Sequence, residues 1–127
     1  MFDVIEHIPA LETYMPQVFR ILKPGGWLVF QTPNKYINRI YETIHTRSFT
    51  IWKKYHCSLQ SPASLRKLLM RSGFAEIRIE KYTIKSEYNL AKLRAQHIPF
   101  PEKMMDLADK APLALFPNMW GSCQKPE

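Results

Sequence analysis

Two acids and a histidine near the start of the chain have the types and the spacing for proton or metal chemistry. Asp3, Glu6 and His7 stand at i, i+3 and i+4, so they share one face if a helical turn begins at Asp3. An imidazole titrates near neutral pH, which suits removal of a proton from a hydroxyl group. Two carboxylates and an imidazole also form a weak site for a divalent ion. A third interpretation is structural, with Glu6 and His7 capping the junction between a strand and a helix. The residues alone leave all three open.

A second group of candidates follows the apolar run Trp27-Leu28-Val29-Phe30. Pro33 and Asn34 end that run, which predicts a turn that also forms part of the wall of a ligand pocket. Between positions 35 and 60, five cations stand against one acid and alternate with aromatic residues such as Tyr36 and Trp52. This mixture suits an anionic or aromatic ligand, single-stranded nucleic acid, or an amphipathic helix with solvated cations.

The elements that must position these residues follow from hydrophobic periodicity and from helix-ending residues. Apolar residues at helical spacing run from 8 to 22 and stop at Lys23-Pro24-Gly25-Gly26. Pro16 inside this pattern predicts either that the regular helix begins near Met15 or that it is kinked. The remaining patterns predict an α/β chain, with helices at 35–45, 61–72 and 101–110 and strands at 27–31, 75–84 and 113–123.

Length, charge and cysteine content narrow the class of protein. The chain has 127 residues, enough for one domain, and no apolar run approaches the ~20 residues of a membrane span. Acids stand near the start, where a signal peptide carries cations, which predicts a cytoplasmic protein. Cys57 and Cys123 have no metal-binding spacing and are predicted to fill the core. The net charge of +7 is spread along the chain, a weak signal for nucleic acid.

Two motifs together carry a family resemblance. The stretch "DVIEHIP…RILKPGGWLVFQTPN", followed by "H…SPASLRKLLMRSGFAEIRIE", resembles the second half of a class I S-adenosylmethionine-dependent methyltransferase. Within that class it is similar to the small-molecule enzymes, including the ubiquinone-biosynthesis O-methyltransferases. The resemblance covers residues 2–84 and is loose over 85–127. It implies that residues 1–127 form a single partial domain with a Rossmann-like sheet. Its fifth, sixth and seventh strands would be Trp27–Gln31, Ala75–Ile84 and Leu113–Cys123, the last antiparallel between the other two.

The resemblance also implies roles for the candidate residues. His7 would be the general base, and Asp3 and Glu6 would lie near the cofactor, S-adenosylmethionine. Some related O-methyltransferases bind a divalent metal with such a cluster, which adds Asp3, Glu6 and His7 as an optional metal site. Residues 35–60 would form a lid over a small-molecule acceptor, and the substrate contacts would be Pro33, Asn34, Tyr36 and Trp52. The acceptor atom would be O, N or C.

The glycine-rich cofactor loop of that family is not found in this sequence. The four glycines, Gly25, Gly26, Gly73 and Gly121, do not form a GxGxG motif. The cofactor-binding half of the fold is therefore expected outside these residues, which leaves an edge of the fifth strand open to self-association or to a partner. The function expected is that of a methyltransferase fragment; the alternatives are a non-catalytic half-domain acting as an interaction module and a fragment of an RNA-directed methyltransferase.

Overall fold

Three strands form one sheet, and its middle strand comes last in the chain. The computed structural model describes residues 1–47, 56–82, 87–95, 97, 99–113 and 116–127. After a short 3-10 turn at Ile5–His7, the elements are α1 (Leu11–Ile21), β1 (Trp27–Pro33), α2 (Lys35–Thr46), α3 (Pro62–Arg71), β2 (Ala75–Lys81), α4 (Glu87–Ala95), α5 (Pro101–Lys110) and β3 (Asn118–Gln124).

The sheet order is β1-β3-β2, and β3 pairs antiparallel with both neighbours. β1 and β2 are therefore parallel to each other. This is the arrangement that the resemblance implies for the last three strands. The middle strand begins at Asn118 rather than at Leu113. Pro117 directly precedes it and has no N–H to donate to a ladder. The predicted strand 75–84 is observed as Ala75–Lys81, and residues 83–86 lie outside the described part of the chain.

One face of the sheet carries the core. Side chains from α1, α3 and all three strands form a single buried cluster: Ile5, Leu11, Met15, Leu28, Phe30, Leu65, Leu69, Phe74, Ile79, Met119 and Cys123. The opposite face is open, with Trp27 47%, Val29 40% and Trp120 39% exposed. The continuous apolar run of β1 predicted cover on both faces, and that prediction is wrong for the described residues. Because side chains alternate along a strand, Leu28 and Phe30 face the helices while Trp27 and Val29 face away.

Helix α1 begins before its proline. The regular helix starts at Leu11, so the predicted start near Met15 is wrong and Pro16 lies inside the helix. A proline there removes one backbone hydrogen bond, to the carbonyl of Glu12. Pro16 and Glu12 are both exposed, so water can solvate that carbonyl. Leu11 and Met15 before the proline lie in the core, and Val18 and Phe19 after it pack against the core.

Residues Met1–Asp3 run parallel to β1 along its outer edge. Phe2 bridges Gln31, and the Gln31 backbone accepts from Asp3 N at 3.1 Å and donates to Met1 O at 2.9 Å. This pairing covers the middle of the edge that was expected to be open, from Val29 to Gln31. It places the turn at Ile5–His7 just beyond the end of β1.

The C-terminal third adds two helices, of which one was predicted. Pro101–Lys110 has the bounds that its apolar spacing predicts, whereas α4 has no clean period and was missed. Arg94 of α4 donates a hydrogen bond of 2.5 Å to Glu102 of α5, which lowers the pKa of that carboxyl. Lys81 of β2 donates to the carbonyls of Asp109 and Ala111, at the end of α5.

None of the described helices is long and apolar enough to cross a bilayer.

Helix α3 begins with a capping box that Ser61 and Ser64 share. Ser61 Oγ accepts from Ser64 N at 3.1 Å, and Ser64 Oγ accepts from Ser61 N at 2.9 Å. We expect Ser61→Ala to lower the free energy of unfolding by about 1–2 kcal/mol, because both N-terminal donors lose their geometry. Urea unfolding measures this. Ser72→Ala, at the other end of α3, is the control, since Ser72 Oγ only donates back to Leu68 O. Equal losses in both variants would contradict the cap.

The two cysteines differ in environment, although both were predicted to fill the core. Cys123 is fully buried, but Cys57 is exposed, so the prediction is wrong for Cys57. Burial raises the pKa of Cys123 to about 12, and the thiolate is the reactive form. At pH 8 we expect one thiol to react quickly with a thiol reagent and the second to react only when the protein unfolds. Cys57→Ser should abolish the fast phase; a fast phase that survives it would contradict this assignment.

Candidate functional site

The first candidate residue, Asp3, is held against β1. Its backbone adopts a positive φ of 51°, and its carboxylate accepts a 3.4 Å hydrogen bond from the side-chain amide of Gln31. Asp tolerates this left-handed conformation better than most residues because its short polar side chain bonds locally. Asp3 thus ends the edge pairing and turns the chain toward Ile5–His7. It does not begin a helical turn.

Glu6 is a buried carboxylate, only 2% exposed. Thr32 Oγ1 of β1 donates to Glu6 Oε2 at 3.0 Å, and the Glu6 backbone carbonyl accepts from Ser58 N at 2.9 Å. The second bond ties the segment that precedes α3 to the 3-10 turn. Buried carboxylates need hydrogen bonds or a countercharge to offset lost hydration. Among the described residues, the nearest group that can carry such a charge is an imidazole.

That imidazole belongs to His7, whose side chain is 51% exposed. His7 Nε2 lies 3.9 Å from Glu6 Oε1, and its ring centroid lies 5.2 Å from that of His56. One ligand atom from each of Glu6, His7 and His56 lies within 4.8 Å of the others. We call these three residues the acid–histidine cluster. Its carboxylate is buried and one imidazole faces solvent, so it can accept a proton from a bound molecule.

The cluster differs from the predicted set by one residue at each end. Asp3 was predicted to share a face with Glu6 and His7, but the turn begins only at Ile5, so helical spacing does not apply to it. His56 joins Glu6 and His7 in its place, a grouping that was not predicted. The two histidines are 49 positions apart, and no local pattern links them. The only sequence signal was the family resemblance, which places a histidine before α3.

Two predicted substrate residues lie at the end of β1. Pro33 is buried in the strand, and Asn34 is fully buried as the N-cap of α2. The Asn34 side chain accepts from Tyr36 N at 3.3 Å and donates to Leu113 O at 3.1 Å. These bonds give Asn34 the turn-forming role that its residue type predicts.

Of the other two predicted substrate residues, Tyr36 is in the part of the chain that the structure describes and Trp52 is not. Tyr36 is 54% exposed on α2, where a ligand can reach it. The predicted lid covers residues 35–60; its residues 48–55, which include Trp52, lie outside the described part of the chain. The carboxyl end of β1 connects the acid–histidine cluster to α2. Thr32 of β1 bonds Glu6, and Asn34, directly after β1, caps α2. This is the edge of an α/β sheet where ligands commonly bind.

A family model described as a methyltransferase domain matches residues 1–79. The chain belongs to this methyltransferase family. The match includes the acid–histidine cluster, β1, α2 and α3, and it confirms the resemblance to class I S-adenosylmethionine-dependent methyltransferases. Among curated proteins, none matches this sequence.

Solved methyltransferase structures extend the similarity to the whole chain. Phosphoethanolamine N-methyltransferase 2 of Haemonchus contortus, in complex with S-adenosyl-L-methionine, is similar over 99% of this chain, with 16% identity and a TM-score of 0.59. A possible histamine N-methyltransferase of Thermotoga maritima is similar over 98%, with 19% identity and a TM-score of 0.63. An S-adenosylmethionine-dependent methyltransferase of Archaeoglobus fulgidus is similar over 98%, with 15% identity and a TM-score of 0.58. These likenesses show the fold.

The chain matches only part of the length of these solved structures. It spans 32%, 53% and 57% of the three structures, respectively. Its sheet supplies the β1-β3-β2 portion of the fold, together with the edge pairing by Met1–Asp3. The family's glycine-rich cofactor loop is not encoded in these 127 residues.

Proposed function

We propose that this chain forms the acceptor side of a methyltransferase that moves a methyl group from S-adenosylmethionine to a small-molecule O, N or C nucleophile. The observation that carries the proposal is the acid–histidine cluster, in a chain whose residues 1–79 match a methyltransferase domain. The cluster stands at the carboxyl end of the paired edge, where the imidazole of His7 is open to solvent.

In this proposal His7 is the general base. Its ring accepts the acceptor's proton as the nucleophile forms its new bond, a role that contributes typically ~10²–10⁴-fold to rate. Glu6, held by Thr32, lies 3.9 Å from His7 Nε2 and stabilises the imidazolium that results. Pro33, Asn34, Tyr36 and Trp52 stay predictions for the acceptor pocket. Most of the remaining rate enhancement would come from orientation of the two reactants.

The residues present do not by themselves make a complete site for S-adenosylmethionine. A cofactor loop needs glycines that let backbone N–H groups approach the ligand, and the glycines here lie at a helix end, a strand approach, a second helix end and the middle of β3. Asp3 and Glu6 stay predictions for cofactor contacts. We therefore propose that most contacts with the cofactor are made by a segment encoded upstream of Met1 or by a second chain.

The test uses the protein together with any in-frame coding sequence upstream of Met1. Transfer of labelled methyl groups to a panel of hydroxyl, amine and carbon acceptors is measured for the parent, for His7→Ala and for His97→Ala. His97 is an exposed histidine between α4 and α5 and serves as the matched control. We expect His7→Ala to lower kcat by about 100-fold or more, with cofactor binding intact. Unchanged kcat in His7→Ala would contradict the base assignment, and no transfer to any acceptor would contradict the methyltransferase activity.

A metal at the same cluster is a second proposal. One carboxylate and two imidazoles form a donor set that suits a transition metal better than Mg²⁺. Two ligand atoms bound tetrahedrally at ~2.1 Å from a metal lie about 3.4 Å apart, close to the 3.9 Å between Glu6 and His7. We propose that Glu6, His7 and His56 are the ligands, with Asp3 outside the site. When bound, the ion would polarise an acceptor oxygen.

Calorimetric titration of the chain with Co²⁺, Zn²⁺ and Mg²⁺ tests the metal proposal. We expect Co²⁺ and Zn²⁺ to bind and Mg²⁺ not to, and His56→Ala to weaken Zn²⁺ binding at least tenfold. Asp3→Asn is the control and should leave binding unchanged. Loss of binding in Asp3→Asn, or retention in His56→Ala, would refute this ligand set without affecting the base assignment.

The interaction-module alternative was expected to act through the edge of β1, part of which Met1–Asp3 pairs. The open sheet face around Trp27, Val29 and Trp120 is a further surface on which such a module could act. This alternative requires that the coding sequence upstream of Met1 contain no strand–GxGxG–helix segment. It also requires that the chain form a stable complex through that face. If this alternative holds, sedimentation should show that Trp120→Ser abolishes the complex. If the chain is part of an enzyme, the coding sequence upstream of Met1 should contain the glycine loop in frame.

A further inference from the structure

A cleft of about 630 Å³ lies between α1 and α3. The two helices run in the same direction. The backbone bond from Ser58 to Glu6 joins the segments that precede them, and Phe19 near the end of α1 packs edge-on against Phe74, just after α3. The volume of the cleft is in the range of pockets that bind small organic molecules. Neither histidine of the acid–histidine cluster lines the cleft, so it is separate from the candidate active site.

The α3 wall of the cleft carries two cations. Lys67 and Arg71 stand at i and i+4, so their side chains lie one turn apart on the same face of the helix. Both are exposed, and within the described part of the chain neither forms an ion pair or a hydrogen bond through its side chain. Each can donate charge-assisted hydrogen bonds to a phosphate oxygen. A phosphate monoester carries nearly two negative charges at neutral pH, which matches this pair.

The α1 wall presents hydrogen-bond acceptors. Because Pro16 has no N–H, the backbone carbonyl of Glu12 lacks the donor that an unbroken helix would supply. Glu12 and Pro16, the two residues on either side of this missing bond, both line the cleft. The carboxylate of Glu12 is exposed and lies beyond ion-pair distance of Lys67 and Arg71. A carbonyl and a carboxylate accept hydrogen bonds but donate none, so this wall suits a ligand that brings hydroxyl groups.

We propose that the cleft between α1 and α3 binds a soluble phosphate monoester that also carries hydroxyl groups, such as a sugar phosphate. The phosphate lies on Lys67 and Arg71, and the hydroxyl groups donate to the carboxylate and the backbone carbonyl of Glu12. A ligand hydroxyl then replaces the water that solvates this carbonyl in the free protein and restores its hydrogen bond. The negative charge of Glu12 disfavours a bare anion, so the site selects the hydroxylated ester over inorganic phosphate.

Calorimetric titration of the chain with ribose 5-phosphate, inorganic phosphate and ribose tests this site. We expect ribose 5-phosphate to bind about tenfold or more tightly than inorganic phosphate, and ribose alone to bind too weakly to measure. The double variant Lys67→Gln/Arg71→Gln should weaken binding of ribose 5-phosphate by more than about tenfold. The matched control Lys103→Gln/Lys110→Gln removes the same charge from α5, which does not line the cleft, and should change the affinity by less than about twofold.

Two variants of α1 test the acceptor wall. Glu12→Ala removes both an acceptor and a repelling charge, so it should weaken binding of ribose 5-phosphate roughly fivefold without weakening that of inorganic phosphate. Pro16→Ala returns an N–H to the helix, which then occupies the Glu12 carbonyl. This variant should unfold at a higher temperature and yet bind ribose 5-phosphate less tightly. Weaker binding by a more stable protein does not come from unfolding.

No binding of ribose 5-phosphate by the parent chain would overturn the proposal. Equal affinities for ribose 5-phosphate and inorganic phosphate would overturn it as well, because the acceptor wall would then contribute nothing. So would equal losses in the two double variants, or an unchanged affinity for ribose 5-phosphate in both Glu12→Ala and Pro16→Ala.

Discussion

Replacing Gly121 by alanine is expected to lower the free energy of unfolding by more than about 3 kcal/mol. Gly121 lies in β3, the middle strand, opposite Phe30 on one side and Ile79 on the other. A Cβ at this position would lie 2.7 Å from Phe30 Cζ and would overlap the backbone carbonyl of Arg78. Phe30 is fully buried and Arg78 O belongs to β2, so neither can move without loss of packing or of the ladder.

Urea unfolding followed by far-UV circular dichroism measures this change. Ser122→Ala is the matched control, because Ser122 is the next residue of the same strand and faces the open side of the sheet. It should change stability by less than about 0.5 kcal/mol. A loss below about 1 kcal/mol in Gly121→Ala would show that β3 does not approach Phe30 and β2 as closely as described.

Replacing Asn34 by alanine should cost about 2 kcal/mol, because it removes a helix cap and one of the two donors to the Leu113 carbonyl. The cap on Tyr36 N contributes about 1 kcal/mol, and the hydrogen bond to Leu113 O adds only about 1 kcal/mol, because that carbonyl keeps the Phe116 N–H at 3.2 Å. Since Asn34 is fully buried, water does not replace these bonds easily. Thermal and urea unfolding measure the loss.

Asn38→Ala is the control for Asn34→Ala. It removes one donor to Pro117 O, but that carbonyl keeps the Asn34 backbone N–H at 2.8 Å, so the cost should be below about 1 kcal/mol. A stable Asn34→Ala variant with weakened acceptor binding would instead make Asn34 a substrate residue, as the family resemblance implies. Stability and acceptor binding, both measured on Asn34→Ala, thus distinguish a structural role of Asn34 from a substrate contact.

Elements with strong local signals were predicted closely. Ser61-Pro62 marks the start of α3, and the apolar spacing at 101–110 gives the bounds of α5. Helix α4 was missed because its apolar and polar residues have no clear helical period. For α1 the sequence left two alternatives, a start near Met15 or a kink at Pro16. The helix starts at Leu11 and contains Pro16, which is tolerated because the carbonyl that loses its donor is exposed.

The family resemblance carried the non-local prediction that β3 lies antiparallel between β1 and β2. Periodicity alone shows where strands are, but it does not show which strands pair. The candidate site was predicted in part for the same reason. Glu6 and His7 are adjacent in sequence and were found together, whereas Asp3 was included on the assumption of a helical turn that the positive φ of Asp3 prevents.

The sequence by itself determined the α/β class, the methyltransferase family, the start of α3 at Ser61-Pro62 and the absence of a glycine loop within these residues, because each depends on neighbours along the chain. The tertiary structure alone decided that His56 joins Glu6 and His7, since a backbone bond from Ser58 to Glu6 folds that segment onto the turn. It also decided that Asn34 and Asn38 at the start of α2 donate to the carbonyls of Leu113 and Pro117, in the segment before β3. Contacts between residues far apart in sequence depend on how the whole chain packs, and no local period records them.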